Sequence, residues 1–236
     1  MISISEGFTL PRDTRERWKA NRHEPRRQGH QPTAGRPGGT GGSGYSVRPL
    51  DGSTCDAFAE LVERNGGVFG GCWCIGHHQT PDGGSDQQVR GIDKKATKQA
   101  LVRSGQAHAA LVFDEEGLAQ GWAKYGRIDE LPILAQHGRA YQKQPSARPD
   151  WRIVCFYTDK NRRREGIARA ALGGALDLIQ GAGGGTVESI PEITSGRVAH
   201  GRFLFQASVE LFEDNGFDRV RQLGKWAWLV RRTVLP

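Results

Sequence analysis

WRIVCFYT at 151–158, DKNRRRE at 159–165 and GIARAALGGALDLIQ at 166–180 form the stretch on which the fold turns. The first segment is rich in β-branched and aromatic residues, which predicts a central strand. The third sets Ile167, Leu172, Ala175, Leu176 and Ile179 on one stripe and runs into GAGGG at 181–185, which predicts a helix and its stop. Between them sits a basic loop that opens the helix. A helix start leaves four backbone N–H groups unpaired and carries about half a positive charge, so an anion is stabilised there without a dedicated side chain. Gly166 and Ala168 put almost nothing between a ligand and the backbone, and Arg162, Arg163 and Arg164 add attraction and hydrogen bonds to phosphate oxygens. A pyrophosphate fits this description; a solvated basic turn capping an ordinary helix is the plain alternative. Neither a Gly-Lys-Ser/Thr Walker ending nor a Gly-x-Gly-x-x-Gly fingerprint at a strand–helix junction occurs.

Outward from this unit the chain alternates strands and helices. YSVRPL at 45–50 reads as a strand, and DGSTCDAFAELVERNGG as a helix with Phe58, Leu61 and Val62 on one face, closed by Gly66 and Gly67. A glycine- and cysteine-rich loop follows at 67–84, then a polar helix from about Asp86 to Ser104. HAALVFDEE at 108–116 and LAQGWAKYGR at 118–127 read as antiparallel strands around a turn at Gly117. After a proline-containing stretch at 131–149 and the central unit, TVESI at 186–190 reads as a strand and SVELFEDNGF as a short helix closed by Asn215-Gly216. RVRQLGKWAWLVRRTV then supplies two closing strands around Gly224. The order is α/β with mixed strand directions and no internal repeat.

Composition divides the chain. Its 236 residues carry a net charge of +7, 36% hydrophobic residues, 33 glycines and 11 prolines, which suits one domain with a diluting appendage. Residues 1–44 read as that appendage: a basic, Gly/Pro-rich tail that supplies +4 of the +7 and ends in the flexible linker GHQPTAGRPGGTGGSG. Its mixed charge and lack of a nucleic-acid motif speak against a polymer-binding arm, so nucleic acid is not expected as a partner. No run approaches the roughly 18–20 apolar residues of a membrane span, and no secretory signal is visible, so the cytoplasm is the expected compartment. Cys55, Cys72, Cys74 and Cys155 read as free thiols rather than a disulfide framework.

Arg163-Arg164-Glu165-Gly166-Ile167-Ala168 matches the pattern Arg/Gln-x-x-Gly-x-Gly/Ala, and on this the chain resembles the GNAT superfamily of acetyl-CoA-dependent N-acetyltransferases over about residues 45–236. GIARAALGGAL is similar to the family's third helix. SVELFEDNGF is similar to its fourth, which normally ends in Tyr-Glu-x-x-Gly-Phe. GGCWCIGHH, the Trp151–Tyr157 strand and VESIPE narrow the resemblance to a bacterial subgroup with a Cys-Trp-Cys segment. The resemblance implies an α/β fold with a mixed, mostly antiparallel central sheet flanked by helices and splayed between the fourth and fifth strands to admit the cofactor. It implies acetyl-CoA as co-substrate, no metal, and transfer of acetyl to a primary amine, of a small molecule or a protein, by direct attack in a ternary complex. A catalytically silent acyl-CoA-binding or regulatory module with the same fold is the alternative, and a homodimer is an admissible assembly.

Carried over residue by residue, the resemblance gives the backbone of Cys155, Phe156 and Tyr157 to the pantetheine arm and to polarising the thioester carbonyl. It gives the pyrophosphate to the backbone of Arg163, Arg164, Glu165, Gly166, Ile167 and Ala168, and brings Ser208 and Phe212 of the fourth-helix segment to the cofactor. The attacking amine must be neutral, so a base is needed, and an acid helps the thiolate leave. Phe212 stands where the family has its Tyr acid. Glu188 is the candidate base, beside the reading of a solvent-facing strand carboxylate, and Tyr157 the other catalytic candidate.

Cys72-Trp73-Cys74 admits sharper readings. Zinc on Cys72, Cys74, His77 and His78 lacks the spaced ligand pairs of structural sites. A nucleophilic cysteine requires an activating neighbour and an acetyl-cysteine intermediate. The family's direct transfer favours a third reading, in which Trp73, Cys74 and His77 wall the acceptor pocket; plain packing of an aromatic loop is the fourth.

Overall fold

In the computed structural model, residues 44–78, 93–132, 137–144, 147–196 and 204–236 are described, all within the compact unit Gly41–Pro236. The tail expected at 1–44 up to residue 43, the last third of the 67–84 loop and the start of the polar helix lie outside them.

Seven strands form one sheet in the order β1-β2-β3-β4-β5-β7-β6. These are β1 (Ser46–Pro49), β2 (His108–Phe113), β3 (Ala119–Arg127), β4 (Trp151–Thr158), β5 (Gly185–Ser189), β6 (Asp218–Gln222) and β7 (Trp228–Val234). Every pairing is antiparallel except β4 with β5. That parallel pair is short: Trp151 faces Val187 and Arg152 faces Glu188, after which the register ends. The strands then diverge, with the Ser189 hydroxyl donating to the Ile153 carbonyl at 2.7 Å as the last bridge. The expected splay between the fourth and fifth strands is therefore present.

Five helices flank the sheet: α1 (Cys55–Arg64), α2 (Lys94–Arg103), α3 (Gly138–Gln142), α4 (Ile167–Gly181) and α5 (Val209–Glu213). The predicted α4 stripe is buried against one face with Val112, Ala123, Ile153 and Phe156. On the other face Phe58, Leu61 and Val62 of α1 pack with Leu111, Trp122 and Val154. Covered on both sides, β3 is buried along all but its last residue. Gly174 lets α4 approach β1 closely, because a β-carbon there would collide with the Val47 side chain.

One departure from strict alternation matters for the site. Lys124 faces Cys155 and Tyr125 faces Ile153, so Val154 is an extra residue in β4. This bulge turns Val154 and Cys155 to the same face, the α1 side, while Ile153 and Phe156 point to the α4 side.

Candidate active site

The loop from β4 to α4 is anchored at its first residue. The Asp159 N–H donates to the Gln120 carbonyl at 2.8 Å, and its carboxylate accepts from Arg64 Nε at 2.9 Å, Asn65 Nδ2 at 3.1 Å and the Asn161 N–H at 3.0 Å. Burial pushes the Asp159 carboxyl up, but these hydrogen bonds and the Arg64 charge outweigh it and hold its pKa below the usual value. Arg162 is committed locally, donating to Glu165 at 2.7 Å and lying against the Tyr45 hydroxyl. Gly166, with φ of 85°, is the N-cap of α4, a conformation that glycine adopts without strain. Nothing lies within 4 Å of where its β-carbon would stand, so the helix start is open to a ligand.

That helix start is one wall of a cavity of about 1150 Å³. Of the residues assigned to the cofactor, Cys155, Phe156, Tyr157, Arg163, Arg164, Gly166, Ile167 and Ala168 line it, and so do Cys74 and His77 from the acceptor set. Tyr157 stacks on Trp122 at 4.9 Å and takes Phe69 edge-on at 5.8 Å. Burial and the nearby Asp159 carboxylate raise its pKa, so it is a neutral phenol.

Five expected residues are not on the cavity lining. Glu165 turns outward to Arg162 and Tyr45. Ser208 caps α5, accepting from the Leu211 N–H at 3.3 Å. Phe212 is fully buried against Phe156 and Phe217. Trp73 packs edge-on to Phe58 at 6.5 Å beneath Lys95. Glu188 is sealed in the sheet, where its carboxylate accepts from Arg231 at 2.7 and 3.0 Å and from the Tyr141 hydroxyl at 3.2 Å, with Arg152 Nε at 3.6 Å. This is neither a solvent-facing strand carboxylate nor a group facing the cavity. The two arginines explain why: a carboxylate placed between both guanidinium groups is held in the core.

The sequence reading missed two features. Phe205 closes the splay, its carbonyl accepting from the Phe156 N–H at 2.6 Å, the strand amide in the segment assigned to the thioester. No local signal marks this contact, which joins residues far apart in the chain. The second is Lys124, fully buried on β3, whose ammonium donates to the Cys74 carbonyl at 2.9 Å and the Gly76 carbonyl at 2.5 Å. Its signal was available: a lysine inside a strand otherwise free of charge up to Arg127. Among the described residues, no group of three or more His, Cys, Asp or Glu side chains is arranged to hold a metal, and no helix is long and apolar enough to cross a membrane.

The strand order, the single parallel pair opening into a splay and the basic loop at the start of α4 agree with the fold that the resemblance in sequence implies. No protein-family model matches the chain, and no curated protein matches it in sequence. Among solved structures it is similar to a histone acetyltransferase HPA2 and related acetyltransferase from Corynebacterium glutamicum, with 14% identity, 82% of this chain and 98% of that one covered, and a TM-score of 0.46. It is also similar to the mosquito arylalkylamine N-acetyltransferase like 5b, with 11% identity, 80% and 99% covered, and a TM-score of 0.47. For the ribosomal-protein-S18-alanine N-acetyltransferase of Escherichia coli the values are 11% identity, 81% and 95% covered, and a TM-score of 0.42.

Proposed function

We propose that this chain is an acetyl-CoA-dependent N-acetyltransferase that passes acetyl to a primary amine of a small molecule or a protein. One observation carries the reading: a single cavity joins a glycine-opened basic helix start, the β4 edge at the splay, and an inner wall with Cys74 and His77. The first suits a pyrophosphate, the second an extended amide-bearing arm that takes strand hydrogen bonds, and the third an acyl group and its acceptor.

In a direct attack within a ternary complex, the amine gives up a proton as it attacks. No carboxylate is among the described lining residues, and His77 is the imidazole there, so it takes the base role expected of Glu188. The Phe156 N–H polarises the thioester carbonyl once the Phe205 carbonyl withdraws from it. A silent acyl-CoA-binding module is the second reading, favoured by the occupied Phe156 amide and by the buried phenyl of Phe212 where a tyrosine acid would stand.

Calorimetry with acetyl-CoA and a free-thiol assay across an amine panel separate these. The expected results are saturable binding, thiol release with a subset of amines, and loss of binding in Gly166→Val, whose β-branched side chain is disfavoured at positive φ and projects into the anion cradle. Binding without release across the panel selects the silent module. Unchanged affinity in Gly166→Val removes the cofactor assignment altogether.

A further inference from the structure

Two buried ammonium groups stand behind the inner wall, and among the described residues no carboxylate is paired to either. Lys124 is fully buried, and Lys98 of α2 is 1% exposed, its Nζ making no hydrogen bond and lying 5.3 Å from the centre of the Phe58 ring. A buried charge without an opposite charge is strongly disfavoured, so a counter-ion belongs between them. The groups that face this space are Cys74, Cys72, His77 and His78 on the 68–78 loop, Cys155 on β4 and Trp122 on β3. His78 stays neutral, because burial and the two lysines drive its pKa far down. The anion must come from a thiol. Cys74 is the one favoured: it lies on the cavity wall with its carbonyl held by Lys124 at 2.9 Å, and the neighbouring Cys155 side chain together with the Lys124 and Lys98 charges outweighs burial and lowers its pKa to about 5. Cys155, beside Cys74 and fully buried, is pushed the other way, and its own thiol donates to the Phe156 carbonyl at 3.9 Å.

The backbone holds this arrangement under strain. Trp73 and Cys74 both adopt left-handed φ, 50° and 52°, unusual for residues other than glycine. Lys124, the cross-strand neighbour of Cys155, fixes them by tying the Cys74 and Gly76 carbonyls. Cys74 itself lines the cavity beside Cys155 and the β4 edge.

From this geometry we infer that Cys74 is the nucleophile of the transfer, so that the acyl group passes through an acyl-cysteine in place of direct attack. This rests on the acyl-CoA reading and revises its route. The Cys74 thiolate attacks the thioester carbonyl, a new S–C bond forms, the bond to the CoA sulfur breaks, and the CoA thiolate takes a proton from water. The neutral acyl-cysteine leaves the two ammonium groups uncompensated, which favours return of the thiolate. The acceptor amine then attacks the acyl-cysteine, its surplus proton passes to His77, and the Cys74 thiolate leaves as the amide forms. Lys98 and Lys124 are positioning residues that act through the thiol.

The test mixes the full chain with acetyl-CoA alone, quenches in acid and maps peptides by mass, with CoA binding measured separately by calorimetry. One acetyl group on Cys74 and a stoichiometric burst of CoA without amine are expected. Both vanish in Cys74→Ser with CoA affinity retained. Lys98→Met, which leaves the thiol in place, moves the pH midpoint of iodoacetamide alkylation of Cys74 upward. Protein that binds acetyl-CoA and acetylates an amine, yet carries no acetyl-cysteine at any quench time, overturns the nucleophile and leaves direct attack. Protein that binds no CoA overturns the acyl-CoA reading and this route with it.

Discussion

The molecule buries two charge clusters, and they are built on opposite principles. Around Glu188, one carboxylate meets Arg231, Arg152 and Tyr141, and Arg152 also reaches the Leu131 and Pro132 carbonyls. Around Cys74, two ammonium groups share no carboxylate and one of them has no hydrogen bond at all. The first cluster lies away from the cavity and knits β4, β5 and β7 where the sheet is narrowest before the splay. The second stands behind the cavity wall. Saturated with opposite charge at close range, the Glu188 cluster has little to offer a reacting molecule, although Glu188 Oε1 and Arg152 Nε make no hydrogen bond. An unsaturated one holds its electrostatic field toward whatever enters beside it, which is how buried charge activates a nucleophile rather than a fold.

The largest effect should come from breaking the saturated cluster. Glu188→Ala leaves two guanidinium groups facing each other in the core, and removal of one member of a buried pair costs about 3–5 kcal/mol. Urea unfolding should show that loss, and turnover per folded molecule should stay unchanged. A stable Glu188→Ala protein with slower turnover and a displaced pH profile would return Glu188 to the base role and collapse the contrast.

The same operation on the unsaturated cluster should have the opposite sign. Lys98→Met leaves the Cys74 thiolate balanced by Lys124 alone and removes the surplus buried positive charge, so the folded chain should be at least as stable as wild type. Unfolding midpoints read this directly. Marked destabilisation would mean that Lys98 is paired to a group other than Cys74, and the reading of the cluster as a site would fall.

The contrast also explains what the sequence could disclose. The β4 strand, the loop and the α4 stripe were readable because each is a local pattern: strand composition, a glycine at a helix start, apolar residues at helical spacing. Eight of the eleven cofactor assignments, all but Glu165, Ser208 and Phe212, line the cavity because they follow from that local unit. The buried charges were not readable, because their partners are remote: Arg231 lies 43 residues beyond Glu188, and Lys124 reaches back 50 residues to the Cys74 carbonyl. Strict alternation put Val154 and Cys155 on opposite faces, and only the extra residue opposite Lys124 and Tyr125 sets Cys155 beside Cys74. Nothing in the pattern of the polar helix singled out Lys98, which one face of that helix buries with Val102.

A smaller effect tests the anchor of the legible wall. Asp159→Ala strips the partner from Arg64 and Asn65 and leaves part-buried donors unpaired, for a loss of about 1–3 kcal/mol in urea unfolding. Because the folded Asp159 pKa is depressed, its contribution is present above the unfolded value of about 3.9 and is lost as pH falls through the folded pKa. Wild type and Asp159→Ala should therefore converge in stability under acid and differ at neutral pH. A constant difference across pH would assign the loss to packing instead.

The finest probe of the unsaturated cluster is His78, which borders it without entering the chemistry. Burial first, then Lys124 and Lys98, keep its imidazole unprotonated in the folded chain. Unfolded, it takes a proton below about pH 6.5. The unfolded state therefore binds more protons there, and stability falls with pH at up to about 1.4 kcal/mol per unit. Other histidines and carboxylates titrate in the same range, so the quantity to measure is the difference between wild type and His78→Leu over pH 5.5–7. That difference should move in favour of the variant as pH drops. In a Lys98→Met background it should shrink only slightly, because burial is the larger cause and Lys124 remains. Its disappearance there would mean that Lys98 alone sets the field at this wall, leaving Lys124 without the electrostatic part assigned to it beside Cys74.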